Sequence, residues 1–187
     1  MVKRMRSFIG IDFSRELKKS IADFQSELKK YADSGRWKYV DNFHLTLKFL
    51  GEIDLTQMGA VIGKLSEVCE GRKSFILKPE NLGFFLGNGN LRVLWLALGG
   101  DMDSLKALQK DIDLSLTEIG FKPEKRPFTP HITIGQDVIF NESFDDVKRR
   151  FRDIKFPGII ADRIILFRSD QIGHKRVYTP VKTFKLV

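Results

Sequence analysis

The order of hydrophobic patterns along the chain predicts an α+β fold in a single domain of residues 1–187. In some segments the apolar residues recur at helical spacing, and in others apolar and polar residues alternate as in strands. The order is strand, helix, strands, helix, strands, helix, strand, helix, strands. Several strands are joined by connections too short for a crossover helix, which favours antiparallel pairing. No low-complexity tract or linker divides the chain.

The first third of the chain predicts two strands and the helix between them. A strand over residues 7–13 is followed by Ser14, a preferred N-cap residue. The next extended run lies within residues 37–53 and ends near Gly51. The apolar residues of the intervening helix recur at helical spacing, which predicts its buried face: Leu17, Ile21, Phe24 and Leu28.

The middle of the chain predicts two longer helices around a pair of strands. One helix begins at about Thr56 and ends near Gly71, and the other spans residues 103–119. Strands at residues 75–77 and 92–98 flank a turn-rich segment, in which Gly-Asn-Gly-Asn at residues 87–90 favours positive φ angles.

The last third of the chain predicts a strand, a short helix and two closing strands. The strand begins at His131 after Pro130, and Ser143 is the expected N-cap of the helix. The closing strands, residues 161–167 and 177–187, are joined by a segment suited to antiparallel neighbours.

Composition and charge limit which partners, cysteine chemistry and cellular location the sequence allows. The chain has 32 Lys and Arg against 24 Asp and Glu, a net charge of +8 that favours an anionic partner, although lysine-rich surfaces also promote solubility. The single cysteine, Cys69, excludes an intramolecular disulfide and a multi-cysteine metal site. Asp12 interrupts the first apolar run before it could form a signal-peptide core or a membrane span. We therefore expect a cytoplasmic protein with no membrane segment. A monomer is the default expectation.

The most informative feature is a His-x-Thr pattern that occurs twice within predicted strands, at His44 and Thr46 and again at His131 and Thr133. Because side chains alternate along a strand, we expect His44, Thr46 and Lys48 to share one face. His131 and Thr133 share a face in the same way. The opposite, core-facing sides carry apolar residues: Leu45, Leu47, Phe49, Ile132 and Ile134.

This pattern suits phosphoryl chemistry without a metal ion or other cofactor. The imidazole pKa lies near 6.5, so one ring can accept a proton while the other donates one. Ring N–H groups and threonine hydroxyls can hydrogen-bond phosphoryl oxygens. A single His-x-Thr is ordinarily structural, but two of the three histidines in the chain share the pattern. Spacings typical of zinc sites, phosphate loops and serine nucleophiles are absent from the sequence, and Cys69 lies on an apolar helix stripe.

These motifs and their flanks resemble the 2H phosphoesterase superfamily, in particular the RNA 2′,3′-cyclic phosphodiesterase branch, whose bacterial and archaeal members were first described as 2′-5′ RNA ligases. The likeness runs nearly end to end and implies two pseudo-symmetric lobes, each an antiparallel sheet backed by helices, around a central cleft. The matching segments are residues 6–12, 37–52, 92–95, 126–135 and 166–169, with Gly173 and Tyr178.

The resemblance implies hydrolysis of a 2′,3′-cyclic phosphate at an RNA end to a 2′-phosphate. His44 and His131 would be the acid–base pair, with His131 assigned as the base and His44 as the acid, an assignment that the sequence does not fix. Thr46 and Thr133 would hold the phosphate oxygens. A small cyclic nucleotide or a 2′-5′ linkage as the substrate, and an RNA-end binding module with little turnover, remain alternatives.

One departure from the resemblance concerns positive charge. Many members carry Arg or Lys shortly after the second motif, whereas this chain has Gln136. Lys48 or Arg126 could compensate, and each is equally well explained as a solvated or structural residue.

Aromatic residues near the motifs are candidates for stacking on a base. Phe84 and Phe85 in the turn-rich segment and Tyr178 near the end of the chain are such candidates, with ordinary core packing as the alternative. We expect His174 to be a solvated turn residue.

Overall fold

The computed structural model describes residues 4–87 and 91–187, and within them it shows four α-helices and an antiparallel sheet. The predicted α+β class is confirmed. The elements, in chain order, are β1 (Met5–Asp12), α1 (Arg15–Lys29), β2 (Ala32–Trp37), a 3₁₀ turn (Val40–Asn42), β3 (His44–Ile53), α2 (Leu55–Cys69), β4 (Phe75–Leu86), β5 (Leu91–Gly100), α3 (Met102–Thr117), β6 (His131–Phe140), α4 (Phe144–Arg150), β7 (Ile159–Ala161), β8 (Arg163–Ile172) and β9 (Lys175–Lys185).

The strands form one sheet in the order β7-β4-β5-β6-β3-β1-β8-β9, and β2 pairs with β6. The two histidine strands, β3 and β6, are neighbours at the middle of this order. Among the described residues, a single register pair, Leu45 with Ile132, joins them. The sheet therefore consists of two halves that meet at the histidine motifs, with one motif supplied by each half.

Helix starts follow the predicted capping chemistry. The Ser14 hydroxyl accepts a hydrogen bond from the Leu17 amide at 3.2 Å, and Ser143 caps α4 in the same way. Helix α2 begins one residue earlier than predicted, because Asp54 and Gln57 form a reciprocal capping box.

Strand lengths were predicted less well than helix positions. Strands β4, β5 and β6 all extend beyond the predicted segments, and β2 was not predicted at all. The β2 segment is polar and contains Gly35, and two register shifts interrupt its pairing with β6. Apolar and polar residues therefore do not alternate along it as they do in a regular strand. Of the turn predicted at residues 87–90, residues 88–90 lie outside the described residues.

The closing strands form a long hairpin whose turn contains Gly173 at φ +58°, so the predicted antiparallel pairing of β8 and β9 is confirmed. Cys69 is buried on α2, as its stripe predicted, and burial raises the pKa of its thiol to about 11. No helix within residues 4–87 and 91–187 is long and apolar enough to cross a membrane.

Candidate active site

The junction of β3 and β6 brings the two His-x-Thr motifs onto one face of the sheet. Leu45 and Ile132 pair across the junction and are both fully buried, so the residues on either side of them face away from that core. In an antiparallel pair this register sets His44 opposite Thr133 and Thr46 opposite His131. Each histidine thus stands across from the threonine of the other motif.

Both imidazole rings are oriented by the same local contact. Nδ1 of His44 lies 2.7 Å from the carbonyl oxygen of Asn42, and Nδ1 of His131 lies 2.6 Å from that of Thr129. Since a carbonyl only accepts hydrogen bonds, each Nδ1 must carry the proton. Each neutral ring therefore presents Nε2 as its proton acceptor, and in His44 this atom lies 2.9 Å from the Thr46 hydroxyl.

Aromatic side chains surround the two rings. The Tyr178 ring meets His44 edge-on at 5.1 Å between centroids, and Phe8 lies 4.8 Å from the same imidazole. On the other side, Phe85 meets His131 edge-on at 5.3 Å and Trp95 lies at 5.9 Å. These rings partly shield the imidazoles from water, which strengthens electrostatic interactions with a bound anion.

Burial disfavours the charged form of both histidines. It lowers the pKa of His44 from 6.5 to about 4, and the positive charges of Lys38 and Lys18 act in the same direction, while the Asn42 carbonyl and Asp12 oppose them. Burial also lowers the pKa of His131. Both rings are therefore neutral at pH 7 when no anion is bound.

Comparison with known proteins identifies the family of this chain. The LigT like phosphoesterase family matches residues 11–95 and 100–178, a span that includes both motifs. The chain belongs to this family. It is 32% identical over 167 residues to a protein of Thermotoga maritima named RNA 2′,3′-cyclic phosphodiesterase, with 88% of this chain and 87% of that protein covered. A protein of Methanocaldococcus jannaschii with the same name is 30% identical over 95% of this chain and 99% of its own length.

Solved structures of the family share the fold. The structure of Escherichia coli LigT complexed with 3′-AMP has a TM-score of 0.81 and 25% identity, covering 98% of this chain and 99% of that one. The predicted resemblance to the 2H phosphoesterases is thus confirmed for both family and fold.

Lys48 does not lie on the histidine face, so that prediction for this phosphoesterase is wrong. On β1, Ile9 pairs with Lys48 and the next residue, Gly10, pairs with Thr46. Leu47 therefore has no partner on β1 and forms a β-bulge. The bulge reverses the alternation beyond it. Lys48 points instead to α3, where its amine bonds the Asp113 carboxylate and the Lys122 carbonyl. Phe49, predicted to face the core, is 69% exposed.

The two phenylalanines of β4 lie on opposite faces of their strand. Phe84 packs edge-on against Phe144 of α4 at 4.6 Å, which is the packing alternative considered for it. Phe85, its neighbour, contacts His131. Among the predicted stacking residues the structure therefore brings Phe85 and Tyr178 to the histidines, and it brings Phe84 to a helix.

The structure also locates Arg126, Gln136 and His174, the other residues that the sequence singled out. The Arg126 side chain is 90% exposed, and its guanidinium is 4.0 Å from Glu124. Gln136 is half-buried on β6, across from Arg36 of β2 and Val93 of β5. His174 is exposed at the β8–β9 turn, as predicted. In the described part of the chain, no three His, Cys, Asp or Glu side chains stand together as a metal-binding group.

Sequence reasoning missed two cations near the first motif, Lys38 and Arg176. Lys38 follows β2, and Arg176 lies on β9 two residues before Tyr178. Both are half-buried, and the charge of Lys38 acts on the His44 ring. Lys38 lies two residues after Arg36. A prediction of β2 would therefore have placed both side chains on one face of that strand.

The low pKa of His44 predicts that stability depends on pH. A histidine with a folded-state pKa of about 4 and an unfolded-state pKa of 6.5 takes up a proton on unfolding between those values. The free energy of unfolding therefore falls as pH falls from about 6.5 to about 4. With allowance for residual exposure of the ring, the His44 contribution is on the order of 2–3 kcal/mol.

Chemical denaturation of the wild type and His44→Gln across this pH window measures that contribution. We expect the stability difference between the two proteins to shift in favour of the variant as pH falls, because glutamine does not titrate. His174→Gln, at an exposed turn position, is the control for the replacement of one histidine by glutamine. A difference that stays constant from pH 7 to pH 4 would contradict a depressed His44 pKa.

Proposed function

We propose that this protein hydrolyses the 2′,3′-cyclic phosphate at an RNA end to a 2′-phosphate, using its two histidines as acid and base without a metal ion. The observation that carries the proposal is the convergence of His44, Thr46, His131 and Thr133 on one face of the β3–β6 junction. The names of the relatives in Thermotoga maritima and Methanocaldococcus jannaschii support the substrate class. We propose that the protein acts on RNA as a monomer.

The reaction needs one base and one acid. In the proposed assignment, Nε2 of His131 accepts a proton from a water molecule as the water oxygen attacks phosphorus. The bond between phosphorus and the 3′ oxygen then breaks, and His44 gives that oxygen its Nε2 proton. The ribose 2′ oxygen keeps the phosphate, so atoms and protons balance. The threonine hydroxyls hold the non-bridging oxygens.

The depressed histidine pKa values are compatible with this chemistry. An anionic phosphate beside His44 favours the protonated ring and offsets the desolvation that lowers its pKa in the empty site. The substrate thereby helps to create the acid that its own leaving group needs. Ring opening by a 5′-hydroxyl in place of water would use the same pair, so 2′-5′ ligation and its reversal need no further residues.

Turnover of an oligonucleotide with a 2′,3′-cyclic phosphate end, followed by chromatography of the products, tests the function. We expect a 2′-phosphate product and full activity in EDTA. A parallel assay with mononucleoside 2′,3′-cyclic phosphates separates an RNA-end enzyme from one that acts on small nucleotides. Salt-sensitive RNA binding without any product would contradict the proposal and would indicate a binding module.

A further inference from the structure

Lys38 interacts electrostatically with His44 and with two other cations, one on β2 and one on β9. Arg36 belongs to β2, Lys38 lies between β2 and the 3₁₀ turn, and Arg176 lies on β9. The charges of Arg36 and Arg176 both act on Lys38, and the charge of Lys38 acts on His44. The group thus links β2 to β9 through Lys38, whose charge acts on His44.

Buried hydrogen bonds fix the backbone at Lys38. Its amide donates to the Ile134 carbonyl on β6 at 3.1 Å. The Gln25 side chain, only 3% exposed, donates to the carbonyl of Lys38 at 2.9 Å and to that of Ile134 at 2.8 Å. Because Ile134 directly follows Thr133, these bonds tie Lys38 to the second motif.

Arg176 is tied to the first motif in a comparable way. The buried Asn42 side chain donates to the Arg176 carbonyl at 2.8 Å, and the Asn42 carbonyl accepts from Nδ1 of His44. The Arg176 guanidinium is 3.5 Å from the Ser169 hydroxyl. Ser169 pairs with Tyr178, which contacts His44, so Arg176 and Tyr178 share the face that bears this imidazole.

The charges in this group are not balanced. Arg36 pairs with Asp137, but among the described residues neither Lys38 nor Arg176 forms an ion pair. Burial, and then the two guanidiniums, lower the pKa of Lys38. Half-buried cations that repel one another raise the free energy of the empty site, and a bound anion would relieve that repulsion.

We propose that Lys38, assisted by Arg176, binds the oxyanion of the reacting phosphate and supplies the positive charge that position 136 lacks in this chain. The inference rests on the proposed function, because it assigns a role within the same site. Gln136 lies across from Arg36, and Lys38 is two residues further along that segment, so both positions border the same part of the β6 face. Both positions therefore lie beside the second motif, since Gln136 is three residues beyond Thr133 and the Lys38 amide bonds the Ile134 carbonyl.

Binding of inorganic phosphate tests this role without requiring turnover. Titrations followed by NMR of the imidazole protons should show about tenfold weaker binding in Lys38→Met, as expected for the loss of one charge-assisted hydrogen bond. Lys29→Met is the matched control, since Lys29 is exposed over the Trp37 ring at 5.6 Å. Its affinity for phosphate should equal that of the wild type.

A rescue variant separates substrate binding from a structural role. If Lys38 supplies the missing charge, Gln136→Arg in the Lys38→Met background should restore most of the phosphate affinity. The His44 pKa, read from the same spectra, should rise in Lys38→Met because a repelling charge has been removed. Equal phosphate affinity in the wild type and Lys38→Met, with both proteins folded, would overturn the inference.

Turnover assays on the same variants distinguish the two proposals. Lysine-dependent phosphate binding without hydrolysis of a cyclic end would contradict the proposed function and retain the phosphate site. Hydrolysis that is unchanged in Lys38→Met would overturn the role of Lys38 and retain the proposed function. If methionine prevents folding, Lys38→Gln replaces it, and Lys38→Arg should keep phosphate affinity within about twofold of the wild type.

Discussion

Replacement of either motif histidine, His44 or His131, by alanine is expected to lower kcat on a 2′,3′-cyclic phosphate end by about 10²–10⁴-fold, the usual contribution of a general acid or base. His44 and His131 occupy equivalent places, with Nδ1 held by a backbone carbonyl and Nε2 left as the acceptor. Because the two act in one proton transfer sequence, the double variant should be little worse than either single variant. Single-turnover assays of the three variants test this expectation.

His174→Ala is the matched control for these variants. It removes the third imidazole of the chain from an exposed turn, and we expect its kcat to equal that of the wild type. Circular dichroism and thermal unfolding establish that each variant is folded. Hydrolysis at the wild-type rate by a folded His44→Ala or His131→Ala protein would remove that residue from the mechanism.

The motif residues could be predicted from sequence because their placement depends on local rules. Alternation along a strand sets His44 beside Thr46 and His131 beside Thr133 on the faces opposite Leu45 and Ile132. Helices also begin near the predicted caps, since a side chain that bonds an amide three residues later is a local feature.

The errors arose where non-local pairing decides orientation. Lys48 lies only two residues beyond Thr46, but the unpaired residue between them turns the Lys48 side chain to the opposite face of β3. No residue type in this segment indicates the bulge. Lys38 and Arg176 are far apart in the chain and come near each other only because β2 joins β6 while β9 joins β8. Such pairing depends on contacts between distant parts of the sheet, so the pattern within a short segment does not determine it.

Lys48→Met is expected to lower the free energy of unfolding by about 3 kcal/mol. The Lys48 side chain is only 5% exposed and that of its partner Asp113 15%, so removal of the amine leaves a largely buried carboxylate without its cation. This loss of stability should be at the lower end of the range for broken buried ion pairs, because the Asp113 carboxylate still accepts hydrogen bonds from the Glu124 amide at 3.1 and 3.3 Å. Urea denaturation at pH 7 measures the change.

A second substitution shows whether the charge pair itself causes this loss. Adding Asp113→Asn to Lys48→Met removes the unpaired charge, so the double variant should be more stable than Lys48→Met alone. Lys64→Met is the control, since the Glu67 and Glu118 partners of Lys64 are mostly exposed and such pairs contribute less than about 1 kcal/mol. If instead Lys48→Met unfolded like the wild type but bound phosphate poorly, Lys48 would belong to the cleft, and the bulge could not be oriented as described.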